Sequence, residues 1–248
     1  MTTASKTKIE WTESSWNPVT GCTKISPGCA NCYAERLAFR LQAMGQKRYQ
    51  NGFDVTLHEQ IICHPLKIRK PTTFFVNSMS DLFHEKISDE FIQMVFSTMN
   101  KADWHKFQVL TKRPERLKTL SSRLTWSENI WMGVTIENND FIHRADVLRH
   151  CPAHIKFLSL EPLLGPLPGL NLSDIDWVIV GGESGPGARP MNIDWVRNIR
   201  DKCITNEIPF FFKQWGGVQK KKNGSTLDEK TWKQYPNKSS CKVNILHF

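Results

Sequence analysis

The chain lacks any apolar run approaching the roughly 20 residues that would cross a bilayer. Its opening residues, MTTASKTKIEW, lack the apolar core of a secretory leader. Both absences predict a protein of the reducing cytoplasm with no membrane partner. A disulfide framework is missing too, because seven cysteines is an odd number and Cys63, Cys151, Cys203 and Cys241 stand singly. No solenoid repeat recurs, and no clean linker divides the 248 residues. A single domain over 1–248, of the size of an α/β barrel, is therefore expected. Acidic residues are in the minority: 24 Asp and Glu face 33 Lys and Arg, for a net charge of +9. A surface of that sign favours anionic partners, small molecules such as nucleotides or nucleic acid. Hydrophobic residues make up 40% of the chain, enough for a substantial core and against extensive disorder.

What is present is an alternation of strand and helix signals. TTFFVN (72–77), KFQVLT (106–111), NIWMGVT (129–135), HIKFLSL (154–160), DWVIVGG (176–182) and IPFFFKQ (208–214) are almost continuously apolar. That pattern marks strands buried on both faces of a parallel sheet. IEW (9–11) is expected as a seventh strand, and DVTLHEQII (54–62) reads as a strand or a β-hairpin arm. Helical spacing groups Tyr33, Leu37, Leu41 and Met44, then Phe91, Met94, Val95 and Met99 behind Ser88 as N-cap. Phe141, Ala145 and Leu148 form a third face, and Val196, Ile199 and Cys203 a fourth behind Asn192. The alternation predicts an α/β fold, a partial or complete (β/α) barrel with parallel strands inside and helices outside. Residues 45–69 interrupt it as an insertion or lid, and 216–248 read as a polar, basic arm.

In such folds the ligand site lies at the carboxyl ends of the strands. Those ends carry Asn77, Ser78, Ser80 and Asp81, then Thr111, Lys112 and Arg113, then Thr135, Glu137 and Asn138. Ser159 and Glu161 follow, then Gly181, Gly182, Glu183 and Ser184, and last Lys213, Gln214 and Trp215. Thr111 and Asn138 each have a plain alternative as helix caps, and GGESG (181–185) as a tight turn. Taken together, the set predicts one pocket. The glycines would let a ligand approach the backbone, Glu183 would offer a carboxylate to an amine or hydroxyl, and Glu161 is read as a ligand contact or ion-pair partner.

Cys22, Cys29 and Cys32 form a CxxxxxxCxxC loop at the front of a helix, with no fourth ligand nearby. Structural zinc takes four protein ligands, and redox pairs take two thiols. Thiolates also hold iron–sulfur clusters. Three of them on a [4Fe–4S] cubane leave one iron open for the amino and carboxylate groups of S-adenosylmethionine. An electron from the cluster would then cleave the C–S bond to a 5′-deoxyadenosyl radical. Cys63–His64 offers a remote fourth ligand that keeps zinc open. Tyr33 reads as helix core or as a partner for adenine.

A cysteine triad after the first strand of such a barrel resembles the radical S-adenosylmethionine superfamily. The usual spacing there is CxxxCxxC, and the superfamily's GGE follows the second strand. Here GGE lies at 181–183, and NSMSD (77–81) takes the second-strand place. A closer resemblance spans about 9–215. WNPVTGCTKISPGCANCYAE, NSMSDLFH, LTKRPERL, GVTIEN, SLEPLLGPL, VIVGGESG and FFKQWG look like a phage-associated family sometimes called three-Cys-motif proteins. The resemblance implies a radical-SAM-type barrel whose cluster is held by Cys22, Cys29 and Cys32. Asn77, Ser78, Ser80, Asp81, Thr111, Glu137, Gly181, Gly182 and Glu183 are then the candidates for binding the cofactor. Lys112, Arg113, Asn138 and Gln214 are the candidates for binding substrate, with Lys213 joining the two cations in gripping an anion. Lys112, Glu161 and Lys213 are the candidate catalytic residues.

The function expected is a radical enzyme that modifies an anionic substrate, a nucleotide or nucleic-acid base, and draws electrons from a donor protein. Two alternatives stand beside it. One is a zinc or iron–sulfur protein that binds nucleic acid through its basic tail, Trp215, Trp232 and Tyr235. The other is a cluster protein that has lost S-adenosylmethionine cleavage. Nothing in the sequence selects an oligomeric state.

Overall fold

The computed structural model describes residues 5–7 and 9–236. Seven parallel strands make the main sheet: β1 (Ser14–Trp16), β2 (Thr73–Val76), β3 (Lys106–Thr111), β4 (Ile130–Thr135), β5 (Ile155–Leu160), β6 (Trp177–Gly181) and β7 (Phe210–Gln214). They lie side by side in chain order, and the sheet curls into a partial barrel with helices around it. A two-residue strand, Ser5–Lys6, adds antiparallel to β1. The helices of seven residues or more are α1 (Tyr33–Ala43), α2 (Asp89–Lys101), α3 (Pro114–Leu120), α4 (His143–Arg149) and α5 (Ile193–Thr205). None of the described helices is long and apolar enough to cross a membrane.

The strands read as continuous apolar runs because each of their faces has its own core. Phe74, Val109, Met132, Leu158, Val178 and Phe210 join the helices on the outer side. Phe75, Trp131, Phe157, Trp177, Ile179 and Phe211 gather with Trp11 on the inner side. Burying each such side chain fully contributes about 1.5–3 kcal/mol. Gly133 of β4 lies under the Phe157 ring, where a Cβ would come within 2.5 Å of Phe157 Cζ. Its hydrogen makes room for an aromatic side chain on the inner face.

Three expectations change. Residues 9–11 form no strand; Trp11 sits in a turn and packs into the inner aromatic cluster, and the barrel opens with β1 instead. The segment 54–62 resolves into a two-residue strand, Thr56–Leu57, paired antiparallel with Val19–Thr20, and then a 3-10 turn at Glu59–Ile61. On α1, Tyr33, Leu37 and Met44 are exposed, while Ala34 and Ala38 are buried against Met79. Small side chains thus occupy the packed face of α1.

The other helices bury the residues expected of them, except that Met94 is exposed and Phe141, in the turn before α4, is half-buried. Ser88 and Asn192 cap α2 and α5 by accepting from Phe91 N and Asp194 N. Within 45–69, Ile62 and Pro65 are buried, and Trp16 Nε1 donates to the Ile61 carbonyl at 3.0 Å. In the basic arm, Thr226–Leu227 pairs with Lys230–Thr231, and Trp232 packs on Phe210. The remainder of that arm, 237–248 with Cys241, lies outside the described residues.

Candidate active site at the strand carboxyl ends

The stretch from Cys22 to Tyr33 crosses the carboxyl ends of the sheet and is tied to residues after four strands. Tyr33 donates to the Ser78 carbonyl after β2 at 2.5 Å. Arg113, after β3, donates to Thr23 Oγ1 at 2.8 Å. Ser26 donates to Glu137 Oε1, after β4, at 2.5 Å. Asn31 donates to Glu183 Oε2, after β6, at 3.1 Å. Isolated bridging of Gly21 to Ser80 and a bond from Gly21 N to the Met79 carbonyl at 3.0 Å fix the entry to the loop.

Glu137 is the seat of the loop. Its side chain is fully buried, with Arg144 Nη1 donating to Oε2 at 3.0 Å and Lys112 Nζ 3.9 Å from Oε1. Gly28 rests directly on it: a Cβ there would come within 2.5 Å of Glu137 Cγ. Asp81 holds the neighbouring corner. It accepts from Thr111 Oγ1 at 2.8 Å, Lys112 N at 3.0 Å and Phe83 N at 3.0 Å.

The GGE carboxylate has partners inside the protein. Arg189 forks onto Glu183 at 2.6 and 2.9 Å, and its own backbone N–H adds a bond at 2.9 Å. Burial alone would raise the Glu183 carboxyl, but Arg189 and Asn31 outweigh it and hold it at about 2. A buried carboxylate so fully bonded is a strut between the loop and β6, not a free acceptor for an amine. Arg113 is likewise engaged by Glu85, Thr23, Asp81 and Cys22 rather than facing outward. Asn138 caps the turn before α4, and Gln214 donates to the Gly182 carbonyl and Ser184 Oγ, each at 2.9 Å. Gly182 N closes the same corner by donating to the Gln214 carbonyl at 3.0 Å. Ser78 and Ser80 spend their hydroxyls on Asn17 and Val19. Asn77 adopts φ 60, a left-handed conformation that asparagine tolerates, and accepts from Val19 N at 3.3 Å.

On the concave side Lys213 pairs with Glu161 at 2.6 and 2.8 Å, the two side chains 13% and 20% exposed. Gly181 leaves space for the Glu161 side chain: a Cβ there would come within 3.2 Å of its carboxylate carbon. Among the described residues, three buried polar atoms at the strand ends have no partner: Asn77 Nδ2, Thr135 Oγ1 and Gln214 Oε1. A separate cavity of about 260 Å³ lies at the amino ends, beside Trp11, Thr73, Gln108 and Trp131.

The three thiols are free and partly exposed. Burial pushes the Cys22 thiol up to about 12, with Asp81 adding to the effect and Arg113 opposing it. Cys29 is close enough to Cys22 to disfavour its ionisation, and Lys24, paired with Glu35 at 2.7 Å, senses both Cys29 and Cys32. Among the described residues no three His, Cys, Asp or Glu side chains converge tightly enough for a single metal ion. Tetrahedral zinc at about 2.3 Å per sulfur needs such convergence. Cys22, Cys29 and Cys32 do share one loop, and three thiolates are the donor type that an iron–sulfur cluster takes.

Arg189, Arg144, Ser26, Asn31 and Glu85 escaped the sequence reading. Only Ser26 and Asn31 carried a signal, as polar residues inside the cysteine loop.

Structural comparison finds spore photoproduct lyase complexed with dinucleoside spore photoproduct, with a TM-score of 0.50 at 12% identity, over 81% of this chain and 63% of that one. A double mutant of spore photoproduct lyase with bound AdoMet and dinucleoside spore photoproduct gives a TM-score of 0.50 at 13% identity, over the same shares. At these identities the likeness is one of fold, and this chain spans under two thirds of theirs. No curated protein sequence matches. A family model described as "Protein of unknown function (DUF5131)" matches residues 6–236, and the chain belongs to that family.

Proposed function

We propose that the protein is a radical S-adenosylmethionine-type iron–sulfur enzyme that modifies an anionic substrate, a nucleotide or nucleic-acid base. The observation that carries this reading is the cysteine loop: three thiols on one stretch, tied over the carboxyl ends of a partial barrel. The fold shared with a lyase solved with AdoMet and a dinucleoside supports it. Cys22, Cys29 and Cys32 would hold a [4Fe–4S] cluster. With S-adenosylmethionine bound, that cluster supplies a 5′-deoxyadenosyl radical.

The chain's own residues shape where that chemistry acts. The Thr135 hydroxyl and the Gln214 amide oxygen, unpartnered in the described structure, are available to orient a polar ligand. Lys213 and Lys112 place positive charge at the mouth for an anionic group, with Glu161 and Glu137 as their resting counterions. The inner aromatic cluster excludes water beneath. The reductant would be a one-electron donor protein.

Anaerobic reconstitution with iron and sulfide tests the reading. Wild type is expected to take up about four irons per chain and to release 5′-deoxyadenosine on reduction with S-adenosylmethionine. Cys22→Ala, Cys29→Ala and Cys32→Ala should each lose both. Stoichiometric zinc without iron would overturn the reading; iron without 5′-deoxyadenosine would remove the cleavage step. A nucleotide panel under the same conditions tests the substrate class.

A further inference from the structure

We infer that Arg113 is a positioning residue that sets the reduction potential of the group held by Cys22. The inference rests on the proposed function, since it concerns the cluster. Arg113 is 8% exposed and sits between the end of β3 and the start of α3. Its guanidinium has four neighbours. Nε donates to Glu85 Oε2 at 2.9 Å, Nη2 donates to Thr23 Oγ1 at 2.8 Å, and Asp81 Oδ2 lies 3.7 Å from Nη1. Nη1 also donates to Cys22 Sγ at 3.8 Å. Thr23 is held in turn by His84 Nε2 at 2.9 Å. The fork is therefore locked, and one charged N–H is aimed at a ligand sulfur.

Among the hydrogen bonds of the three thiols in the described residues, this one comes from a cation. Cys29 lies 3.6 Å from the Ser26 hydroxyl, a neutral group that already donates to Glu137. A charged donor on a ligand sulfur stabilises the electron-richer state, and hydrogen bonds to sulfur are a known lever on cluster potential. Arg113 thus favours the reduced cluster, the state from which an electron is passed on. Glutamine removes the charge, and lysine keeps it but loses the fork that spans Thr23, Glu85 and Cys22.

The test is a redox titration of reconstituted protein, read by EPR, with iron content and apo-protein melting measured alongside. Arg113→Gln is expected to lower the reduced-to-oxidised ratio about tenfold at a fixed poise, a shift of about 59 mV for one electron. Arg113→Lys should shift it in the same direction by less. An unchanged midpoint in the iron-loaded fraction of Arg113→Gln overturns the inference, even if loading or melting falls, because a purely structural residue would move only those. If Arg113→Gln takes up no iron, Arg113→Lys decides, and a wild-type midpoint there overturns it. Wild type that loads no iron defeats the proposed function instead, so the two failures are separable.

Discussion

Placing a methyl group on Gly28 tests whether the cysteine loop really rests on Glu137. An alanine Cβ would lie 2.5 Å from Glu137 Cγ, 2.6 Å from Oε1 and 2.9 Å from Cδ. Carbon contacts favour about 3.5–4.0 Å, so roughly 1 Å of retreat is required. Glu137 has little room to give it, being fully buried and held by Arg144 at 3.0 Å. If the loop stays in place, overpacking costs about 1–3 kcal/mol. If it lifts, the Ser26 bond to a buried carboxylate is lost, at about 1.5–3 kcal/mol. Either way Gly28→Ala should lose about 1–3 kcal/mol, which at about 2–4 °C per kcal/mol for a chain of this size lowers Tm by about 2–12 °C. Thermal melting of the apo-protein reads this directly. Glu137→Ala removes Cγ and the carboxylate beyond it. In that background the cost of Gly28→Ala should shrink by about 1 kcal/mol or more, as expected for residues in contact. Equal costs in both backgrounds would refute the seat.

Glu183 predicts an acid limb. Its carboxyl is held at about 2, below the ordinary 4.5, so the unfolded chain binds the extra proton and the stabilisation is lost as pH falls from 4.5 toward 2. Glu183→Gln should flatten urea-measured stability across that window; an unchanged slope would place the limb elsewhere. Lys213→Met strands the Glu161 carboxylate and should destabilise by about 1–3 kcal/mol, less than a fully buried pair because both groups reach solvent. Adding Glu161→Leu should recover most of that loss in chemical denaturation, and no recovery would argue against the pairing. Gly133→Ala drives a Cβ into Phe157 and should cost about 1–3 kcal/mol. Phe157→Leu should relieve part of it in the double variant, and a purely additive result would mean that the ring does not cover the glycine.

The strands were legible because burial on both faces removes polar alternation, and each of the six apolar runs holds a strand. β1 was missed because SSW is short and polar, while the neighbouring IEW supplies Trp11 to the core from a turn. The outward turn of Tyr33 and Leu37 was not legible either. Helical spacing reveals a stripe, but which stripe is buried depends on how near the next element lies, and Ala34 and Ala38 won by being small. At the site, residue type gave away the strand-end cluster but not its partners. Asp81, Arg113 and Glu183 looked free in a linear reading. Their counterparts Thr111, Glu85 and Arg189 bind them across loops whose approach is a property of the folded chain. Lys213 with Glu161 is the exception, since Glu161 was read from the start as a contact or an ion-pair partner.

The ring of indoles and phenyls around Trp177 stitches the concave face of the sheet together, with Trp11, Trp131, Phe157 and Phe211 pressed against it. These rings meet edge to face or tilted, so each is keyed to its neighbours and none can be trimmed alone. A smaller side chain at any one of them would loosen the strands on both sides rather than leave a local gap.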